Sequence, residues 1–342
     1  MSEAPTHEAR SPFRGRGFWL KAALGLGITA GLFVFLFRFV DWSHVAALTA
    51  KARWGILLWV LPIYELLYLA RAGRFVLLAP RTPFGVMLCI AAVHNFSLRV
   101  LPMRTGELSY ALLVKKAGTS GLGESLLGLF LLRILDATAV VVIFAIFLVL
   151  NQTVYQGDFS FGLWLTLGAA TVGLLGALFF RQLLHLGFIM LSATLHFVRL
   201  TRVARVATLL EKLRVTIGSF DRLGLRLMLA QIGLTTAAWM LNFLMIFVTM
   251  HGFSVPVSFA QAVLGGTGAT VTGFLPVGGI GSFGAMEAGW ALGFALVGLE
   301  ASLAVASGFA FSLMTFASAA ALALVHWVIL TQLSRAQTSQ KP

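Results

Sequence analysis

The sequence predicts an all-α polytopic membrane protein, with about six full transmembrane helices plus two re-entrant helical hairpins in an inverted-repeat architecture. Three observations lead there. The chain is 59% hydrophobic and only 11% charged, with a mean hydropathy of +0.92, where a soluble domain carries about 25% charged residues. Apolar runs of crossing length follow one another almost without a break. Finally, two proline-broken apolar segments each carry a lone acid: Leu101–Glu107, reading L-P-M-R-T-G-E, and Leu275–Glu287, reading L-P-V-G-G-I-G-S-F-G-A-M-E. Interrupted segments in corresponding places of two halves mark a site near the bilayer midplane.

Residues 1–17 are polar and read as a cytoplasmic tail. A single membrane domain is expected over 18–333, divided into a first repeat at 18–150 and a second at 161–333, with a short tail at 334–342. The first apolar run, 18–40, exceeds the core of a signal peptide and is read as a retained span. Asp41 to Arg53 is read as an outside loop. The second span, 54–76, carries Glu65 near its middle, and the loop after it is expected to hold Arg71, Arg74 and Arg81. Residues 84–101 stop at Pro102, and the piece at 105–114 is about 15 Å of helix, too short to cross. The two together are therefore read as a hairpin.

The next spans fall at 122–150 and 161–180. Residues 181–226 interleave arginines with leucines and valines and read as a basic interfacial segment. A crossing at 183–198 is the rival reading. Span 227–250 follows, then a glycine-rich second hairpin at 258–298 and a last span at 302–333.

Charge tests this order. The net charge is +13, from 25 Lys and Arg against 12 Asp and Glu. Nineteen of the basic residues fall in segments assigned to the inside and three in outside loops. That asymmetry follows the positive-inside rule and puts both termini in the cytoplasm. It accounts for the excess charge without nucleic acid, as a basic face beside anionic headgroups. The one cysteine, Cys89, can form no intramolecular disulfide, and no metal or cofactor motif appears.

Charged residues inside the apolar segments carry the functional signal. Glu65, Arg99, Arg104, Glu107, Arg133, Asp136 and Glu287 fall there, and each costs about 2.5–3.5 kcal/mol at mid-membrane on insertion scales. They must pair with one another or face water. Arg133 and Asp136, three apart, share a helix face. Arg104 beside a fresh helix start offers fork-like donors to an anion, and Thr105 is positioned to cap that helix. Gly279–Gly284 matches a dinucleotide fingerprint in form only, because no strand or soluble βαβ unit surrounds it. There Gly278, Gly279 and Gly281 instead let backbone approach backbone or an anion. Gly27–Gly31 and Gly289–Gly293 have the small-xxx-small spacing of close helix packing.

Asn95 with L-P-M-R-T-G-E, the R-I-L-D pair at Arg133 and Asp136, and the late L-P-V-G-G-I-G followed by Glu287 together resemble the flippase-like membrane family. That family includes the transmembrane half of lysylphosphatidylglycerol synthases. The resemblance covers about residues 20–333. It implies a multi-pass bacterial inner-membrane protein that moves or handles amphiphilic lipids. It also implies substrate-binding roles for Asn95, Arg104, Glu107, Arg133, Asp136, Glu287 and the three glycines.

Two departures stand out. No soluble aminoacyltransferase domain follows the last span, and Val277 stands where relatives have a second proline. The expected function is translocation of a lipid with an anionic or zwitterionic headgroup, without cofactor. A membrane-embedded lipid transferase and a non-catalytic partner of lipid-biosynthesis enzymes are the alternatives.

Overall fold

The computed structural model describes residues 42–101, 105–118, 120–198, 203–222, 224–274 and 284–339. All regular structure among them is helical. The first span at 18–40, Gly27–Gly31, Pro102, Pro276 and the glycine-rich break after it lie outside the described residues.

The elements in order are α1 (Trp42–Ala50), α2 (Trp54–Leu57), α3 (Val60–Leu78), α4 (Phe84–Val100), α5 (Glu107–Lys116), α6 (Leu122–Leu150), α7 (Phe159–Leu178), α8 (Phe180–Phe197), α9 (Ala204–Gly218), α10 (Leu225–Gly252), α11 (Phe259–Phe274), α12 (Ala285–Ala295) and α13 (Ala301–Ser339). Five helical stretches among the described residues are long and apolar enough to cross a membrane: Trp54–Leu78, Leu122–Leu150, Phe159–Leu178, Leu225–Gly252 and Ala301–Leu333. These coincide with the second to the sixth of the six expected spans. The chain is an all-α, multi-pass membrane protein.

Local chemistry sets several ends. Asp158 caps α7, its carboxylate accepting the Phe161 N–H at 2.9 Å. Ser258 and Gln261 form a reciprocal box at the start of α11, with Gln261 N–H donating to Ser258 Oγ at 3.1 Å and Ser258 N–H to Gln261 Oε1 at 2.8 Å. Gln261 Nε2 also donates to the Val297 carbonyl at 3.0 Å, fastening the start of α11 to the end of the α12 arm.

Packing relations in one half recur in the other. Helix α3 lies on α10; α4 packs on α13 of the opposite half, and α11 returns the relation by packing on α6. Likewise α4 packs with α5 and α5 with α6, as α11 does with α12 and α12 with α13. Equivalent helices of the two halves thus exchange partners across their boundary. The larger apolar core runs between α3, α10, α11, α12 and α13, around Tyr64, Phe243, Trp290 and Phe294.

Three readings of the sequence need correction. Residues 42–50 are not a loop but the helix α1, whose Val45 packs on Ala306 and Phe309 of α13. Arg71 and Arg74 are not in a loop: α3 continues to Leu78 and carries both within the helix, because Phe75 and Leu78 still have core to pack against. The inside count of basic residues thereby falls from nineteen to seventeen, still far above three. The residue capping α5 is Gly106 rather than Thr105. The last span closes at Leu333 as expected, while the helix that carries it, α13, continues to Ser339.

The basic stretch from 181 onward forms two helices, α8 and α9, followed by a 3-10 turn at Ser219–Arg222. Leu186, Ile189, Met190 and Phe197 of α8 are exposed.

Candidate functional site

The lone glycines of the two hairpins have a structural cause. A methyl group on Gly106 would run into the Ser97 carbonyl, so only glycine lets the start of α5 lie on the backbone of α4. On the second hairpin, methyl groups on Gly268, Gly289 and Gly293 would each meet backbone atoms of the facing arm. The small-xxx-small spacing of Gly289 and Gly293 thus serves close packing of α12 on α11.

Between these two hairpins, α3, α6 and α10 lies a cavity of about 250 Å³. Its charged lining is Arg71 and Arg74 from α3, Arg99 from α4, Glu107 from α5, and Arg133 and Asp136 from α6. Among the described residues that is four cations against two acids. His94, Asn95, Asn242, Thr270 and Thr272 add polar surface, and Trp239, Trp290 and Phe311 supply aromatic walls. Leu101 and Gly273, both lining it, are exposed, so the cavity reaches the surface beside the two chain breaks.

The charges form a graded network. Arg74 Nη1 lies 2.8 Å from Asp136 Oδ1, with both side chains almost wholly buried. Arg74 Nη2 donates to the Leu132 carbonyl at 3.3 Å. Trp239 Nε1–H donates to the same Asp136 oxygen at 3.0 Å, and Gln231 Nε2 donates to the Arg74 carbonyl at 2.8 Å. This inner pair is fixed from three helices.

Arg133 is less committed. Its Nε lies 3.2 Å from Glu107 Oε1 and its Nη1 3.9 Å from Asp136 Oδ2, with Arg133 and Glu107 each more than a quarter exposed. Arg99 Nη2 donates to Tyr64 Oη at 2.8 Å and Nη1 to Thr315 Oγ1 at 3.3 Å. Buried Arg74 Nε has no hydrogen-bond partner among the described residues. Arg71 makes no hydrogen bond or ion pair to any of them, and its charge is balanced at longer range by Asp136. A guanidinium such as that of Arg71, lining a cavity with its donors unused, is what an anion requires.

Of the residues singled out from sequence, Asn95, Glu107, Arg133 and Asp136 come together on this cavity. Asn95 is buried and its Oδ1 lies 3.5 Å from Tyr68 Oη. His94, on the same turn, meets Ser109 Oγ through Nδ1 at 2.9 Å and so ties α4 to α5. Glu287 does not line the cavity. It is buried one turn behind Met286 and Trp290, accepting the Gly284 N–H at 2.6 Å and the hydroxyl of Ser312 on α13. Arg104, Gly278, Gly279 and Gly281 lie outside the described residues.

Sequence reasoning missed Arg71, Arg74, Trp239 and Asn242 as site residues. The two arginines had a signal: spaced three apart after Tyr64 and Tyr68, they continue one helix face. Trp239 and Asn242 carried none, since a tryptophan in an apolar span is ordinarily core.

Neither a curated protein nor a solved structure matches the chain. A family model does: that of the lysylphosphatidylglycerol synthase TM region, over residues 22–323. That match spans both hairpins and every helix lining the cavity, and the chain belongs to the lysylphosphatidylglycerol synthase transmembrane-region family.

Proposed function

We propose that this protein is a lipid translocator that receives an anionic or zwitterionic headgroup in the cavity between its hairpins while the acyl tails remain in the bilayer. One observation carries the reading: a cation-rich cavity, reaching the surface beside two chain breaks, lies inside a helical membrane bundle of a lipid-related family. Charge held at such depth is retained for a function. The volume, about 250 Å³, falls just short of the roughly 300–1,000 Å³ of sites that enclose a whole drug-sized ligand. It suits a headgroup whose tails stay outside.

In this mechanism Arg71 meets the headgroup anion. The buried Arg74–Asp136 pair stays intact as the floor of the site. Arg133 exchanges Glu107 for the headgroup, so its charge is never left bare. The two halves, which trade equivalent helices across their boundary, rock against each other to alternate access. The distribution of basic residues supports an orientation with both termini cytoplasmic, and in this reading the membrane is a bacterial inner membrane. No chemical step is assigned to any side chain.

The test is headgroup accessibility of candidate lipids in proteoliposomes, for wild type and Glu107→Gln. The wild type is expected to equilibrate headgroups well above empty liposomes. Glu107→Gln is expected to slow this about tenfold, the scale of one charge-assisted hydrogen bond. Wild-type rates no higher than empty liposomes, or turnover of a radiolabelled lipid to a new product, overturn the reading.

A further inference from the structure

Glu65, in the middle of α3, has no part in the cavity, yet it is an acid inside a membrane-crossing helix. Its Oε1 lies 3.2 Å from Nε2 of His326, on α13. The other ring nitrogen, Nδ1, is 2.9 Å from the Leu322 carbonyl oxygen. A carbonyl can only accept, so Nδ1 carries a hydrogen and donates it. In a neutral ring Nε2 then bears a lone pair, which would face a carboxylate that also has only lone pairs. The contact is attractive only when one proton lies between them, as imidazolium with carboxylate or as imidazole with carboxylic acid. Both forms have zero net charge. Losing that proton leaves one uncompensated negative charge among apolar helices, which is costly there.

Resting on the translocator reading above, we propose that Glu65 and His326 form the proton-binding site that couples lipid translocation to a proton gradient. The acids at the cavity are already engaged: Asp136 with Arg74 and Trp239, and Glu107 with Arg133. Glu287, behind it, accepts from Gly284 and Ser312. In the outlying pair His326 is buried, while the Glu65 side chain is 35% exposed.

The pair also has a physical link to the cavity. Tyr68 sets the edge of its ring against that of His326, centroids 6.2 Å apart at 83°. Its hydroxyl points at Asn95 Oδ1, in the cavity wall. A change in charge at the pair is therefore felt one side chain away from the headgroup.

Tyr68 on α3 and Cys89 on α4 interact with the charge of Glu65, and Tyr68 in turn interacts with Tyr64, Arg71 and Arg99. On loading, a proton from water joins the pair and its charge goes from minus one to zero. On release the proton returns to water on the other side.

The experiment uses the full chain in proteoliposomes containing a headgroup-labelled phospholipid, with and without an imposed gradient of one pH unit. Wild type is expected to accumulate label on one side by up to about tenfold, the bias that one proton per lipid supplies at that gradient. Glu65→Gln and His326→Gln are expected to exchange label without gradient, yet show no bias. Isotope-edited infrared spectra of wild type should show the carboxyl and imidazole of this pair changing protonation together. Bias retained in either variant overturns the proposal, as does a wild type that translocates without responding to the gradient, or independent titration of the two groups. A wild type that moves no lipid at all removes the translocator reading instead, and the infrared result then stands alone as a statement about a structural pair.

Discussion

Arg74 and Asp136 meet at 2.8 Å across the interface of α3 and α6, and Trp239 of α10 donates to the same carboxylate oxygen. One ion pair thus joins three membrane-crossing helices at the wall of the cavity. The pair lies within the first half of the chain, Trp239 ties it to the second, and both charged side chains are almost wholly buried.

Removing one partner of such a pair leaves a buried charge without compensation, at a cost of about 3–5 kcal/mol. Asp136→Asn should therefore lower the thermal unfolding midpoint of the detergent-purified protein more than any substitution on the cavity rim. Arg74→Met combined with Asp136→Leu should recover most of that loss, since a well-packed apolar pair of similar volume is close to neutral. Unfolding monitored by intrinsic fluorescence reads both.

Arg71 behaves differently because nothing among the described residues holds it. Arg71→Gln should leave the unfolding midpoint within about 1 kcal/mol of wild type. It should weaken binding of an anionic lipid about tenfold, the worth of one charge-assisted contact. Titration of the detergent-solubilised protein with anionic and zwitterionic lipids separates the two effects.

The family resemblance gave Glu287 a substrate-binding role, whereas its neighbours give it fastening work. Ser312→Ala removes one of its donors and should cost about 1–3 kcal/mol of stability. Translocation per folded molecule should stay unchanged. A specific activity that falls in step with the loss of the hydroxyl would return Glu287 to the transport mechanism.

The glycine contacts between α11 and α12 also make a direct prediction. Gly268→Ala drives a methyl group into the backbone near Gly289 and should destabilise by about 1–3 kcal/mol, in the manner of an overpacked core. At Gly187, in α8, an added methyl meets nothing within 4 Å, and Gly187→Ala should be neutral or stabilising by up to about 1 kcal/mol. The two variants, measured in the same detergent, give opposite signs.

Much of this arrangement could be read from the chain because the bilayer dictates it. Crossing lengths and the pairing of Arg133 with Asp136 on one helix face follow from periodicity and from the cost of charge in oil, and the structure reproduces them. The site was read less well for a physical reason. Arg71 and Arg74 were assigned to a loop because basic residues normally end an apolar run. Here the helix runs on because Phe75 and Leu78 remain buried, and one of the two arginines finds its counter-charge on α6, far along the sequence. Pairings between distant spans leave no local trace, so neither Trp239 nor the His326 partner of Glu65 was visible. The same holds for the helix at 42–50, whose contact is with the last span.

The second hairpin presses peptide against peptide at Gly268, Gly289 and Gly293, with only the Thr272 side chain and the Phe294 ring beside the contact. Sliding one arm along the other would need both backbones to part first. The pair can therefore tip like a single lever about its ends, and any motion that changes access must be taken up where it leans on α6 and α13.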